Sequence, residues 1–329
     1  MQAAFSPRSF SSYANLPPPR VRDPGGLHQL TGQTMGTSWS VKFGNPRLLP
    51  LDGVRDAIDA ALQTVVAQMS TWDASSDISR YNAATAGSWH ALAPEFLEVL
   101  QCALQWARAS GGACDPTVGP LVALWGFGAH AAPRGTPAPG ELAHARARTG
   151  WTRLKLDADQ RRVFQPGGIA LDLSGVAKGF AVDQVARALQ SLALRNFLID
   201  IGGELCGSGR RPDALPWRVA VPQQGTLALS DLAVATSGDA WHAWEQAGRR
   251  YSHTLDPRSG EPVAHTLSTA TVVHRSCMHA DALATAVLVL GAEDGIAFAN
   301  AQGLAVRFVL RGPHGPTVRC SAAWAALAA

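Results

Sequence analysis

Charge is scarce in this sequence: 16% of its residues are Asp, Glu, Lys or Arg, against 47% hydrophobic. That balance excludes an intrinsically disordered chain, which lacks the apolar surface needed to offset the entropy of ordering. No C-x-x-C pair occurs, and the five cysteines (Cys102, Cys114, Cys206, Cys277, Cys320) are odd in number and far apart. A zinc ribbon or redox dithiol is thereby excluded, and free, mostly buried thiols are expected. The formal net charge is only +3, and basic pairs such as Arg161-Arg162, Arg210-Arg211 and Arg249-Arg250 are scattered; no nucleic-acid partner is expected from such a distribution. No run of 18 apolar residues occurs, and the best stretch, Ala282 to Gly291, is too short to cross a bilayer. No membrane span is expected, and the chain reads as soluble. The nearest approach to a dinucleotide fingerprint, Gly207-Ser-Gly209-Arg-Arg-Pro212, ends on proline where the third glycine belongs.

Residues 1–26, with serines from Ser6 to Ser12, the run Pro17-Pro18-Pro19 and Gly25-Gly26, have neither an apolar signal core nor helical periodicity. They are expected to form a disordered leader. Beyond it, Gly32 to Phe43 reads as a strand. Apolar spacings of three and four predict a helix over Asp52 to Met69, and a second begins at Pro94 and stops at Gly111-Gly112. Ala129 to Gly140 reads as a surface connection, Ile169 to Leu173 as a short strand, and Val176 to Leu194 as a helix with Ser174 as its cap. Strands are expected at Asn196 to Ile201, Trp217 to Val221, Leu232 to Thr236, Thr269 to His274 and Ala305 to Leu310. Helices are expected at Ala280 to Leu290, closed by Gly291, and at Asp294 to Asn300. Helices mixed with antiparallel-looking strands define an α+β class.

Four segments carry chemistry. Asp281 and Thr285 stand four apart near the start of a helix, so a carboxylate and a hydroxyl share one face. Such a face can hold a hard cation such as Mg²⁺; equally, Asp281 could simply complement the helix dipole. Asp172-Leu-Ser174-Gly175-Val-Ala177-Lys178-Gly179-Phe180 places small residues and a lysine where a helix begins, a setting that favours phosphate or serves only close packing. Around Asp115, the string from Gly111 to Gly128 is too rich in Gly, Pro and aromatics for regular structure. Asp115 can accept hydrogen bonds from a ligand or close an Asx-type turn before Pro116. His253, in Tyr251 to Gly260, is the best general-base candidate because imidazole titrates near neutrality.

In this order the segments resemble the ApbE family of flavin transferases, from about residue 30 to about residue 310. The motifs are Thr34-Met35-Gly36-Thr37, Met69-Ser70-Thr71-Trp72, and Ser76 to Asn82 as S-x-I-S-R-x-N. They continue as Asp115 to Leu121, Ala177-Lys178-Gly179, Ile201-Gly-Gly-Glu204, Ala235 to Asp239, His253 to Pro257 and Ala280 to Thr285. The resemblance implies one large T-fold-like domain over 27–329, with mixed or antiparallel sheets flanked by helices. It implies a cleft in which FAD is bound by Met35, Trp72, Ala113, Cys114, Asp115, Ser174, Phe180 and Thr254. It also implies Mg²⁺ on Asp281, Thr285 and the Ala177 carbonyl.

The implied activity is transfer of FMN from FAD to a threonine hydroxyl of an acceptor protein, with AMP released, His253 acting as base and Lys178 aiding neutralisation. An FAD pyrophosphatase using water, or a module that only holds FAD, are the alternatives. Trp72 replaces the family's usual Tyr, exchanging a phenol for an indole donor, and Cys114 replaces a common Phe. Family members are usually exported and membrane-anchored, whereas no signal peptide or lipid-acceptor cysteine is seen in the leader, so either this member works in the cytoplasm or the start as given is incomplete.

Overall fold

The computed structural model describes residues 26–129, 135–223, 225–238 and 243–328. The expected leader up to residue 25, residues 130–134 of the Ala129 to Gly140 connection, and Asp239 lie outside the described residues.

The first expected strand is in fact a hairpin, Leu27–Thr34 and Thr37–Gly44. Met35 and Gly36 between them have φ of 47° and 73°. Positive φ at both central residues gives a turn whose twist matches the strands it joins, so the chain doubles back. This hairpin edges an eight-stranded sheet that continues through Phe197–Ile201, Glu204–Ser208, Leu232–Gly238, Leu267–His274, Ala305–Leu310 and Thr317–Cys320. Every neighbouring pair is antiparallel, and the class is α+β.

Alternation along the strands divides the sheet between two cores. Phe197, Ile199, Ile201, Ala235, Val272 and Phe308 belong to the main core. Helices Ala177–Ser191 and Cys277–Ala301 lie on this face, with Leu51–Met69 and Pro94–Ala109 packed against them. Leu198, Leu205, Val234 and Val273 point the other way, toward Trp217, Leu229 and Trp324 of a smaller core.

Helix Cys277–Ala301 unites two expected helices and begins three residues early, where Ser276 accepts the His279 N–H. Gly291 breaks it with φ 80° and ψ −178°, a glycine conformation at the expected place but with extended ψ in place of the left-handed helical cap. An 18-residue window reaches a mean hydropathy of 1.6, long and apolar enough to cross a bilayer by length and composition. Its apolar side chains are instead spent on the main core, from Cys277 and Leu283 to Val287 and Leu288.

Three further expectations change. Ile169 to Leu173 is not a strand: Leu171 exchanges both backbone bonds with the Asn82 amide, at 2.7 and 2.9 Å, and Asp172 N–H donates to Pro116 O. Ser174 does not cap the next helix, which starts at Ala177; its N–H donates to Asp172 Oδ1. The expected connection before Gly140 runs into a helix, Pro139–Ala147, whose first turn accommodates a proline at no hydrogen-bond cost.

Candidate functional site

Antiparallel register brings the motifs to one end of the sheet. Trp39 pairs with Ile201 and Gly238 with Thr269, so four features share that end: the Met35-Gly36 turn, the Gly202-Gly203 turn, the start of Glu204–Ser208 and the finish of Leu232–Gly238. Gly202 is held so close to Thr37 that a Cβ there would lie 2.8 Å from Thr37 Cγ2. The T-M-G-T and I-G-G-E motifs therefore touch, and Met35 packs against the main core beside them.

Where helix Ala177–Ser191 meets helix Cys277–Ala301, Gly179 N–H donates to Asp281 Oδ2 at 2.9 Å. The approach is possible only for glycine, since an added Cβ would lie 2.3 Å from Cys277 O. One turn further along the second helix, Thr285 Oγ1 lies 3.3 Å from Ser237 Oγ, and Gly175 crosses so near that a Cβ would meet Thr285 Oγ1 at 2.9 Å. Asp281 and Thr285 thus share a face, turned toward the segment that opens the phosphate-suited helix. Asp281 is 3% exposed and bonded to the other helix, so the reading in which it only complements its own helix dipole does not describe its surroundings.

Lys178 Nζ donates to Glu204 Oε1 at 2.7 Å, with 34% of the lysine side chain exposed. Glu204 of the I-G-G-E motif is a buried acid that accepts this bond and feels the Asp281 charge. Burial first, then the Asp281 charge, pushes the Glu204 carboxyl up, and Lys178 pulls it back down. Burial likewise raises Asp281, against the pull of Lys178 and the Gly179 bond. Lys178, opposed by burial, is held above its ordinary value by Asp281 first and Glu204 second.

The second wall is the loop around Asp115. Its Oδ1 accepts from Thr117 N and Thr117 Oγ1, and Oδ2 accepts from Trp151 N at 2.9 Å. The first two bonds are those of an Asx-type turn, and the third ties that turn to Trp151. Burial raises the Asp115 carboxyl in spite of these bonds. Ala113 and Cys114 are buried beside it, the thiol pushed up to about 12 by burial.

Trp125 Nε1 donates to Gly260 O at 2.8 Å and its ring stacks on Tyr251, fastening the His253 turn to this loop. His253 is half-buried, its ring 6.4 Å from Phe127 in an edge-on contact. Thr254 is buried, with its N–H on Ser252 Oγ and its carbonyl accepting from Val263. Trp72 is 69% exposed on a turn where Ser76 Oγ donates to Ser70 O. Ser174 is exposed at the head of its helix. Phe180 differs: it is 0% exposed, its ring is part of the main core, and it does not open onto the cleft. The periodicity that places it inward already signals this.

Among the described residues no group of three or more His, Cys, Asp or Glu side chains stands close enough to hold a metal ion. The donor set at this place is of another kind: one buried carboxylate, one hydroxyl and backbone oxygen, which suits a hard cation that keeps several waters. Two observations fit a cation here. Glu204 Oε2 is buried with no hydrogen-bond partner. And two buried carboxylates face a single ammonium, an excess of negative charge that burial makes costly.

Fold and site together define an α+β protein whose large antiparallel sheet brings the Met35-Gly36 and Gly202-Gly203 turns to one end, beside a buried carboxylate and a hydroxyl on one helix face. The chain belongs to the ApbE family, whose sequence model matches residues 35–308. It is 38% identical over 295 residues to the FAD:protein FMN transferase of Vibrio cholerae, spanning 87% of this chain and 88% of that one. It is 34% identical over 310 residues to the same-named protein of Haemophilus influenzae, spanning 90% of each. The apo crystal structure of the flavinyl transferase ApbE of Pseudomonas stutzeri superposes with a TM-score of 0.87 at 36% identity, covering 92% of this chain and 96% of that one.

Proposed function

We propose that this protein is an FAD:protein FMN transferase, which moves the FMN half of FAD onto a threonine hydroxyl of an acceptor flavoprotein and releases AMP. The observation that carries this reading is the meeting of Gly175, Gly179, Asp281 and Thr285, where a helix start faces a buried carboxylate and a hydroxyl. Family membership supplies the substrate class: the relatives carry that activity in their names.

Phosphoryl-type transfer asks little of a protein beyond positioning and neutralising charge. Asp281, Thr285 and the Ala177 carbonyl would hold Mg²⁺. Bound there, Mg²⁺ supplies positive charge to the pyrophosphate oxygens. The dipole of helix Ala177–Ser191 favours the same anion near its start, and Lys178 adds its charge from the partly exposed side. Trp72 offers an aromatic face for the isoalloxazine, while Met35 and the backbone of 113–115 line the cleft.

His253 takes the proton of the acceptor threonine. The freed oxygen bonds to the FMN-side phosphorus, the bond from that phosphorus to the bridging oxygen breaks, and AMP leaves with the bridging oxygen. An acceptor hydroxyl held in the cleft excludes the competing water, which separates transfer from hydrolysis.

The test is stoichiometric. Purified protein, FAD, Mg²⁺ and a threonine-bearing acceptor domain are combined, and AMP release is compared with acceptor-bound flavin. One AMP per labelled acceptor supports transfer; AMP without labelling supports the pyrophosphatase.

A further inference from the structure

Resting on the metal reading above, the inference concerns why Asp281 is available to a cation at all. Lys178 is bonded to one buried carboxylate, Glu204, and is next in the chain to Gly179, which is bonded to another, Asp281. Asp281 exerts the larger charge influence on it, yet its hydrogen bond goes to Glu204 Oε1. Among the described residues Asp281 takes one hydrogen bond, from Gly179 N–H. A lysine on a flexible four-carbon stem, one residue from the glycine that holds a buried carboxylate, is drawn electrostatically toward that carboxylate. Its ammonium there would occupy the place of the cation.

Glu204 stands where it can prevent this. It is fixed at the first position of its strand, directly after the Gly202-Gly203 turn, and pairs with Ile201 across the hairpin. Its backbone is therefore held by the sheet, not by the helix that carries Lys178. Its carboxylate is 4% exposed and has a second oxygen with no partner, so its pairing with Lys178 is not diluted by water.

We propose that Glu204 is a positioning residue that draws the Lys178 ammonium away from Asp281 and so keeps the cation site open. The cation competes with Lys178 for Asp281, and Glu204 decides the competition by holding the lysine. Glu204 need not touch the metal.

Calorimetric titration of the full-length protein with MgCl₂, free of FAD and acceptor, reads this without any turnover. Glu204→Leu releases the lysine, and Mg²⁺ affinity falls by about tenfold or more, the scale of one close charge pair. Adding Lys178→Met removes the competitor, and affinity returns to within about threefold of wild type. A buried ion pair replaced by two apolar side chains is commonly tolerated, so the double variant is the safer to fold. Lys178→Met alone, confirmed as folded by circular dichroism, binds Mg²⁺ at least as tightly as wild type.

Wild-type affinity in Glu204→Leu, a double variant as weak as Glu204→Leu, or weakened binding in Lys178→Met would each overturn the proposal. Absence of Mg²⁺ binding by the wild-type protein would instead overturn the metal reading on which it rests.

Discussion

Gly179 and Asp281 are joined across two helices by a 2.9 Å hydrogen bond from backbone N–H to carboxylate, with Cα surfaces so close that no side chain fits between them. In an ordinary helix, Gly→Ala stabilises by up to about 1 kcal/mol. Here the new methyl would meet Cys277 O at 2.3 Å and Asp281 Cβ at 2.7 Å, both parts of a packed helix. Gly179→Ala is therefore expected to destabilise by about 3 kcal/mol, as overpacking against backbone does. Urea unfolding checks it; an unchanged midpoint would show that the helices separate freely.

Asp281→Asn keeps an oxygen for the Gly179 N–H but removes the charge. Its fold should persist, while FMN transfer falls by about a hundredfold or more, the scale of losing one charged ligand at a phosphoryl-transfer centre. Thermal unfolding and acceptor labelling, run on the same preparation, separate the two effects.

Trp72 is exposed and spends little of its ring in the core. Trp72→Ala should change stability by no more than about 0.5 kcal/mol, yet weaken FAD binding about tenfold through lost stacking. Trp72→Phe should recover most of that loss. Flavin fluorescence titration measures both variants.

A pH effect follows from His279, whose Nδ1 accepts the Trp106 Nε1–H at 2.9 Å. Burial first, then neighbouring His274, lowers its tendency to protonate below that of a free imidazole. The unfolded chain then binds more protons as pH falls from about 6.5, so this group costs stability on acidification and costs nothing above that pH. His279→Gln preserves an acceptor for Trp106 and cannot titrate. The stability difference between wild type and variant should shift toward the variant between pH 7 and pH 5, measured by thermal unfolding without added metal.

Much of this was legible in the sequence because it was local. The helices Leu51–Met69 and Pro94–Ala109 follow from apolar spacing, and the stop at Gly291 from one residue type. What escaped depends on partners distant in the chain. Nothing near Ile169 to Leu173 reveals that Asn82, some 90 residues earlier, would hold it out of a sheet. The role of Asp115 turned on Trp151, and that of Glu204 on Lys178. Phe180 was placed at the cleft by resemblance although its periodicity points inward, and packing followed the periodicity. The Met35-Gly36 turn was hidden because Met rarely adopts positive φ; a glycine beside it was the available sign.

The most direct measurement is mass spectrometry of a threonine-containing acceptor domain after incubation with this protein, FAD and Mg²⁺. The expected result is a mass gain of FMN less one water, mapped to a threonine and absent with Asp281→Asn. Free FMN and AMP beside an unlabelled acceptor, or FAD left intact, would contradict it.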